Sequence, residues 1–198
     1  MLDNILKSME QAEILLRALR EDQDGLAQIN GMIRQIVEVY RKQGKVIIFG
    51  NGGSMADATH FAEELSGRYH LDRPALPALA LSDPAFLTCV ANDFGYEAVF
   101  ARGVEAFAKP EDVVIGLSTS GNSANVLNAL RQAQSMGCFT IALLGKDGGS
   151  IRETCDYEIV IHSEDTARIQ EIHMTILHIL VAEIERELFF RPKQNKIS

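Results

Sequence analysis

His60 and Glu64 stand four residues apart in the stretch His60-Phe61-Ala62-Glu63-Glu64, and a helix there puts an imidazole and a carboxylate on one face. Three chemistries fit such a pair: a salt-linked surface contact, two ligands for a metal ion, or a carboxylate base steered by its neighbour. Phe61 and Leu65, interleaved with them, are expected to face a core. Further imidazoles lie far along the chain in Arg168-Ile169-Gln170-Glu171-Ile172-His173, and then at His178, set among Ile176, Leu177, Ile179 and Leu180. A histidine in such an apolar run reads first as a hydrogen-bonded core residue and second as a catalyst. Gln170 and His178 are eight positions apart, about 12 Å along a regular helix. Both reach one ion only if the helix begins irregularly near Gln170 or if neighbouring subunits contribute.

Two loops have the chemistry of anion binding. Ser118, Thr119, Ser120 and Ser123 place four hydroxyls within six residues just ahead of a helical pattern. One hydroxyl suffices for a helix cap; four, with the free N–H groups and positive dipole end of a helix, make a phosphate cradle that needs no lysine. Gly50-Asn51-Gly52-Gly53-Ser54 permits positive φ and close approach of a ligand to backbone N–H groups. It reads either as a tight strand-to-helix turn or as a ligand-contacting loop. A dinucleotide fingerprint fits poorly, because Met55 occupies the sixth position and no acid follows about 20 residues on at the end of a second strand. Gly145-Lys146-Asp147-Gly148-Gly149 reads as a turn.

These groups need a scaffold. Short apolar, β-branched runs at Lys45–Gly50, Pro77–Leu81, Asp112–Leu117, Phe139–Leu143 and Tyr157–Ile161 alternate with helical patterns, the signature of a parallel sheet covered by helices. The fold class expected is α/β, a doubly wound five-stranded parallel sheet, with ligands beyond the carboxyl ends of the strands. Apolar spacings of three and four predict two leading helices, Leu2–Arg20 and about Leu26–Lys42, and a long last helix over about Thr166–Phe190. Nothing divides the chain: 1–198 reads as one domain, with 1–43 as a leading helical pair and 191–198 as a frayed tail. The leading pair carries more apolar stripe than one core covers, which points to an oligomer.

The chain has 198 residues, 46% hydrophobic and 23% charged, with 27 acidic against 19 basic side chains and a net charge of -8. That balance argues against nucleic acid or an anionic membrane surface as partner, so any anion must be gripped locally. Cys89, Cys138 and Cys155 are odd in number and lack a CxxC, so neither a disulfide framework nor a zinc ribbon is expected. The N-terminus mixes charges into every helical turn, unlike a secretory signal, and no run approaches the roughly 18 apolar residues of a membrane span. A soluble cytoplasmic protein is expected.

Taken in order, GNGGS, HFAEELSGRY (His60–Tyr69), ANDFG (Ala91–Gly95), STSGNSANV (Ser118–Val126), GKDGG and RIQEIHMTILH (Arg168–His178) resemble the phosphoheptose isomerases of the sugar isomerase (SIS) fold. Each motif alone is weak; six in order are specific. The resemblance implies a homotetramer with active sites at subunit contacts. It also implies conversion of D-sedoheptulose 7-phosphate to D-glycero-D-manno-heptose 7-phosphate, the first step toward ADP- or GDP-heptose for lipopolysaccharide or other surface glycans. By the same resemblance Ser118, Thr119, Ser120 and Ser123 bind phosphate, and Asn51, Gly52, Gly53, Asn92 and Asp93 contact substrate, as do Glu64 and Gln170. Glu64 and His178 are the implied acid/base pair, and His60, Glu64, Gln170 and His178 the implied ligands of one Zn2+ per subunit. A ligated carboxylate or imidazole cannot at the same moment move protons, so the two implied roles are in tension. The chain also departs from some members just before the RIQE motif, where Ala167 replaces an acid and Asp165 stands two positions earlier. Two other readings compete: a non-enzymatic SIS-fold protein-binding factor of the replication-initiator-associating type, which lacks the HFAEE carboxylate, and an isomerase of another ketose phosphate.

Overall fold

The computed structural model describes residues 1–190; the expected frayed tail, 191–198, lies outside the described residues. Five strands, β1 (Val46–Gly50), β2 (Ala78–Ala80), β3 (Val113–Ser118), β4 (Phe139–Gly145) and β5 (Tyr157–Ile161), form one sheet in the order β2-β1-β3-β4-β5. Every pairing is parallel. The central runs β1 and β3 are buried at every position, which is why they read as continuous apolar stretches rather than alternating ones. The edge strand β2 is shorter than its apolar run because Pro77 has no N–H to give and only its carbonyl joins the ladder, accepting from Val46 N.

Alternate strand residues feed two cores. Val46, Ile48, Val113, Ile115, Ile141 and Leu143 pack with α2 (Gln23–Arg41), α3 (Gly53–Ser66) and α7 (Thr166–Glu185), and with the inner edge of α1 (Leu2–Glu21). Ile47, Phe49, Val114, Ala142 and Leu144 pack with α4 (Pro84–Phe94), α5 (Val99–Phe107) and α6 (Ala124–Ser135). Helices therefore cover both faces, as a period-two strand pattern buried on both sides requires.

Helix starts follow their caps. The second helix begins at Gln23, ahead of its first apolar residue, because the Asp22 carboxylate accepts from Gly25 N at 3.0 Å. Asp165 does the same for α7, accepting from Ala167 N at 2.9 Å, so the acid upstream of the RIQE motif acts as a helix cap. From there α7 is a regular α-helix to Glu185, continued by a single π-helical turn over Arg186–Phe190. Of α1 only Leu19 is buried, while Leu2, Ile5, Leu6, Met9, Ile14 and Leu16 are exposed. No described helix is long and apolar enough to cross a membrane.

Candidate active site

Beyond the carboxyl ends of the strands, the chain turns from β1 toward β2 on one side and from β3 toward β4 on the other, leaving a switch point between β1 and β3. Two loops meet there. Asn51 follows β1 and Asn125 opens α6, and their side-chain amides pair reciprocally at 2.9 and 2.8 Å. The Tyr96 hydroxyl donates to Asn51 Oδ1 at 2.8 Å. Asn125 is only 3% exposed, so the orientation of Asn51 is fixed from beneath.

The hydroxyl loop is braced from within and from behind. Ser123 precedes α6 without using its hydroxyl to cap the helix; its Oγ lies 3.0 Å from Ser118 Oγ instead. Ser120 Oγ accepts from Asn122 N at 3.1 Å, and Gly121 at φ +66° turns the chain. The Gly145–Gly149 turn backs this loop: Ile151 N donates to Gly121 O, Ser150 N donates to Asn122 Oδ1, and a Cβ on Gly121 would collide with the Gly148 carbonyl. The Asn92 amide donates to Asp93 Oδ1 at 2.7 Å, and both residues are exposed near the end of α4.

α3 and α7 lie side by side on one face and run in the same direction. At the lower level the Gln170 amide rests over Gly53, where any Cβ would strike it, and donates to Asp57 Oδ1 at 3.2 Å. One level up, His178 meets His60 and Glu64. The separation along α7 inferred from the eight-residue spacing is thus real: a straight helix presents Gln170 and His178 at two heights of the neighbouring helix. Gly52, with φ +57°, starts α3 in a conformation that favours glycine.

The upper cluster has a definite shape. His60 Nε2 and His178 Nε2 are 3.3 Å apart, and Glu64 Oε1 lies 3.5 Å from the first and 3.6 Å from the second. Bonds of 2.0–2.1 Å to a tetrahedral zinc imply ligand atoms about 3.3 Å apart, so this triangle matches one face of such a tetrahedron. Two imidazole nitrogens and a carboxylate oxygen are also a donor set that zinc accepts. Glu63 Oε1 stands 3.3 Å from His60 Nδ1, the position of a group that orients a ligating imidazole. Among the described residues, His60, Glu64 and His178 form a group able to hold a metal. Glu64 is 7% exposed, and its second oxygen, Oε2, is buried without a partner. Tyr69 stacks against His178 with ring centroids 6.2 Å apart. Phe61 and Leu65 are fully buried, as their interleaving requires.

The two histidines of α7 have different fates. His173 is fully buried and pairs through Nε2 with the Leu144 carbonyl at 2.9 Å; burial pushes its pKa down to about 4, against which that hydrogen bond pulls only partly. It is a neutral core residue. His178, in the same apolar run, opens onto the cluster. The sequence reading passes over Asp57, although it sits three residues before His60 and so on the same helical face. Burial pushes its carboxyl up, while the Gln170 amide and the His60 imidazole pull it down. Asn125 and Tyr96 are also missed; an asparagine directly after the hydroxyl run, in the first turn of the helical pattern, was the available signal.

Residues 9–145 match the family described as SIS domain. The chain is 46% identical to a phosphoheptose isomerase of Fusobacterium nucleatum, over 94% of this chain and 96% of that protein. It is 48% identical to one of Pelobacter propionicus, over 96% and 100%. The structure of a phosphoheptose isomerase from Francisella tularensis superposes with a TM-score of 0.89 at 32% identity, covering 93% of this chain and 98% of that one.

Proposed function

The chain belongs to the phosphoheptose isomerases of the SIS fold, and from that premise we propose how its residues divide the work of converting D-sedoheptulose 7-phosphate to D-glycero-D-manno-heptose 7-phosphate. The observation that carries the reading is the His60–Glu64–His178 triangle, with one carboxylate oxygen of Glu64 inside it and the other buried and unpartnered. A ketose becomes an aldose when a proton leaves C1, a cis-enediol forms, the oxygens at C1 and C2 exchange a proton, and C2 receives a proton. Glu64 takes the C1 proton and returns it to C2. His178 moves the proton between the two oxygens. The Ser118, Thr119, Ser120 and Ser123 hydroxyls hold the phosphate, while Asn51, Gly52, Gly53, Asn92, Asp93 and Gln170 hold the sugar in register.

Zinc would be held by His60 and His178 through Nε2 and by Glu64 through Oε1, and Gln170, a level below in the same chain, would join that set only from a neighbouring protomer. Bound there, zinc supplies a Lewis acid that polarises the sugar carbonyl. A protein-binding factor has no use for a buried carboxylate poised in this way, and the relatives above are isomerases by name. We read the chain, 1–198, as one SIS domain that works in the cytoplasm as a homotetramer, the exposed apolar row on α1 supplying contact surface between protomers.

The direct test incubates metal-stripped and zinc-loaded protein with sedoheptulose 7-phosphate, and with a six-carbon ketose phosphate in parallel, following aldose formation. Zinc-dependent turnover of the heptulose is expected. Activity on the hexulose alone, or on neither, would overturn the substrate assignment, and equal rates without metal would overturn the role of zinc.

A further inference from the structure

The chemistry assigned above leaves one buried ion pair unused. The side chains of Arg73 and Glu185 are 2% and 3% exposed, with Arg73 Nε donating to Glu185 Oε1 at 3.0 Å. The rest of the guanidinium reaches the end of α3. Its Nη2 donates to the main-chain carbonyl of Glu64 at 2.8 Å, and its Nη1 donates to that of Leu65 at 2.7 Å. These are among the last carbonyls of α3, which have no partner within the helix. On the other side, Glu185 Oε2 accepts from His70 N at 3.3 Å and Oε1 from Leu71 N at 3.4 Å. The pair therefore ties three things together: the backbone of Glu64, the helix that carries His178 two turns before Glu185, and the segment that carries Tyr69 against the His178 ring.

Stability alone does not account for it. Removing two charges from water costs several kcal/mol per ion, and well-packed apolar side chains often do as well or better in such a place. What a guanidinium offers is direction: a planar fork that meets a carboxylate and two carbonyls at fixed angles, which a lysine cannot. That matters because the site is assembled across two helices with no covalent link near it. Asp57–Gln170 joins them at the lower level; Arg73–Glu185 joins them at the upper level, beyond the triangle.

We propose that the buried Arg73–Glu185 pair is the positioning element that fixes Glu64 against His178, and thereby sets both the metal affinity and the proton-transfer geometry of the site. It rests on the roles given above to His60, Glu64 and His178, and touches no substrate. The test compares the parent enzyme with Arg73→Lys, with the apolar replacement Arg73→Met/Glu185→Met, and with Glu64→Gln. It measures kcat and KM for sedoheptulose 7-phosphate, thermal unfolding, and Zn2+ affinity by competition with a chelator.

Both Arg73 variants should unfold within a few degrees of the parent and keep KM within about threefold, because the phosphate is held on a separate loop, yet lose about tenfold or more in kcat and about tenfold in Zn2+ affinity. If Arg73→Lys does not fold, the apolar pair, which carries no unpaired buried charge, decides. Folded variants with unchanged kcat and Zn2+ affinity overturn the proposal. So does a loss of kcat with unchanged Zn2+ affinity that only tracks a fall in unfolding temperature, which would mark a structural role. Should Glu64→Gln itself leave kcat and Zn2+ affinity intact, the reading of the triangle fails and takes the proposal with it; if Glu64→Gln loses both while the Arg73 variants lose neither, only the positioning role is refuted.

Discussion

On the role proposed for Glu64, replacing it by glutamine keeps the shape of the side chain and removes the group that accepts a proton from carbon. One carboxylate oxygen faces two imidazole nitrogens at 3.5 and 3.6 Å, and the other is buried without a partner. An amide has one oxygen. If it faces the imidazoles, the NH2 group takes the buried second position and the amide oxygen is too weak a base to take a proton from carbon; if the amide flips, its NH2 group faces the imidazoles and the inward donor is lost. Either orientation removes a general base worth roughly 10²–10⁴ in rate and weakens the metal set as well. We expect kcat to fall by about 10³ or more, close to 4 kcal/mol of transition-state stabilisation. KM should stay within about threefold, since the phosphate loop is separate and its energy is realised in the ground state as well. Burying an amide costs less than burying a carboxylate, so the variant should melt no lower than the parent, which separates lost chemistry from lost fold. The assay follows exchange of the C1 proton in D2O by NMR alongside aldose formation. Exchange and turnover within tenfold of the parent would refute the assignment of Glu64 to carbon.

Two further outcomes follow from other parts of the structure. On the proposed phosphate-binding role, removing one hydroxyl with Ser123→Ala forfeits a hydrogen bond to an ionised group, roughly 2 kcal/mol; KM should rise about thirtyfold with kcat within about threefold, and because the loop offers neutral hydroxyls rather than exposed cations, raising salt from ~50 to ~500 mM should move the parent's KM by less than about twofold. His173, whose pKa in the fold is pushed down to about 4, contributes stability that is complete above its unfolded value near 6.5 and is lost as pH falls toward 4, because there the unfolded chain binds the proton and the folded chain does not. Urea unfolding should report roughly 2 to 3 kcal/mol less stability at pH 4.5 than at pH 7 from this group, a difference that His173→Gln should reduce.

How much of this was legible in the sequence depends on range. The strands were readable because the central ones are buried on both faces, so that Val46–Gly50 and Val113–Ser118 stand out as unbroken apolar runs. The His60–Glu64 pair was legible because a helix converts a spacing of four into a shared face, and that face is local. His178 was not legible from periodicity, since its neighbours Leu177 and Leu180 are core residues and its own exposure depends on what α3 presents to it; only the motif similarity marked it. Arg73 and Glu185 gave no signal at all. They are 112 positions apart, and nothing in the composition around either tells that a guanidinium will turn back to end α3 while pairing with a carboxylate on α7.

His60 and His178 are likewise separated by 118 positions, with β2, β3, β4 and β5 between them. A growing chain therefore carries two of the three inward-facing donors long before it carries the third. A chain that stops before α7 holds only the imidazole and the carboxylate that α3 places on one face. The group is therefore completed only when the last helix is in place, which makes α7 the element on which the whole cluster depends.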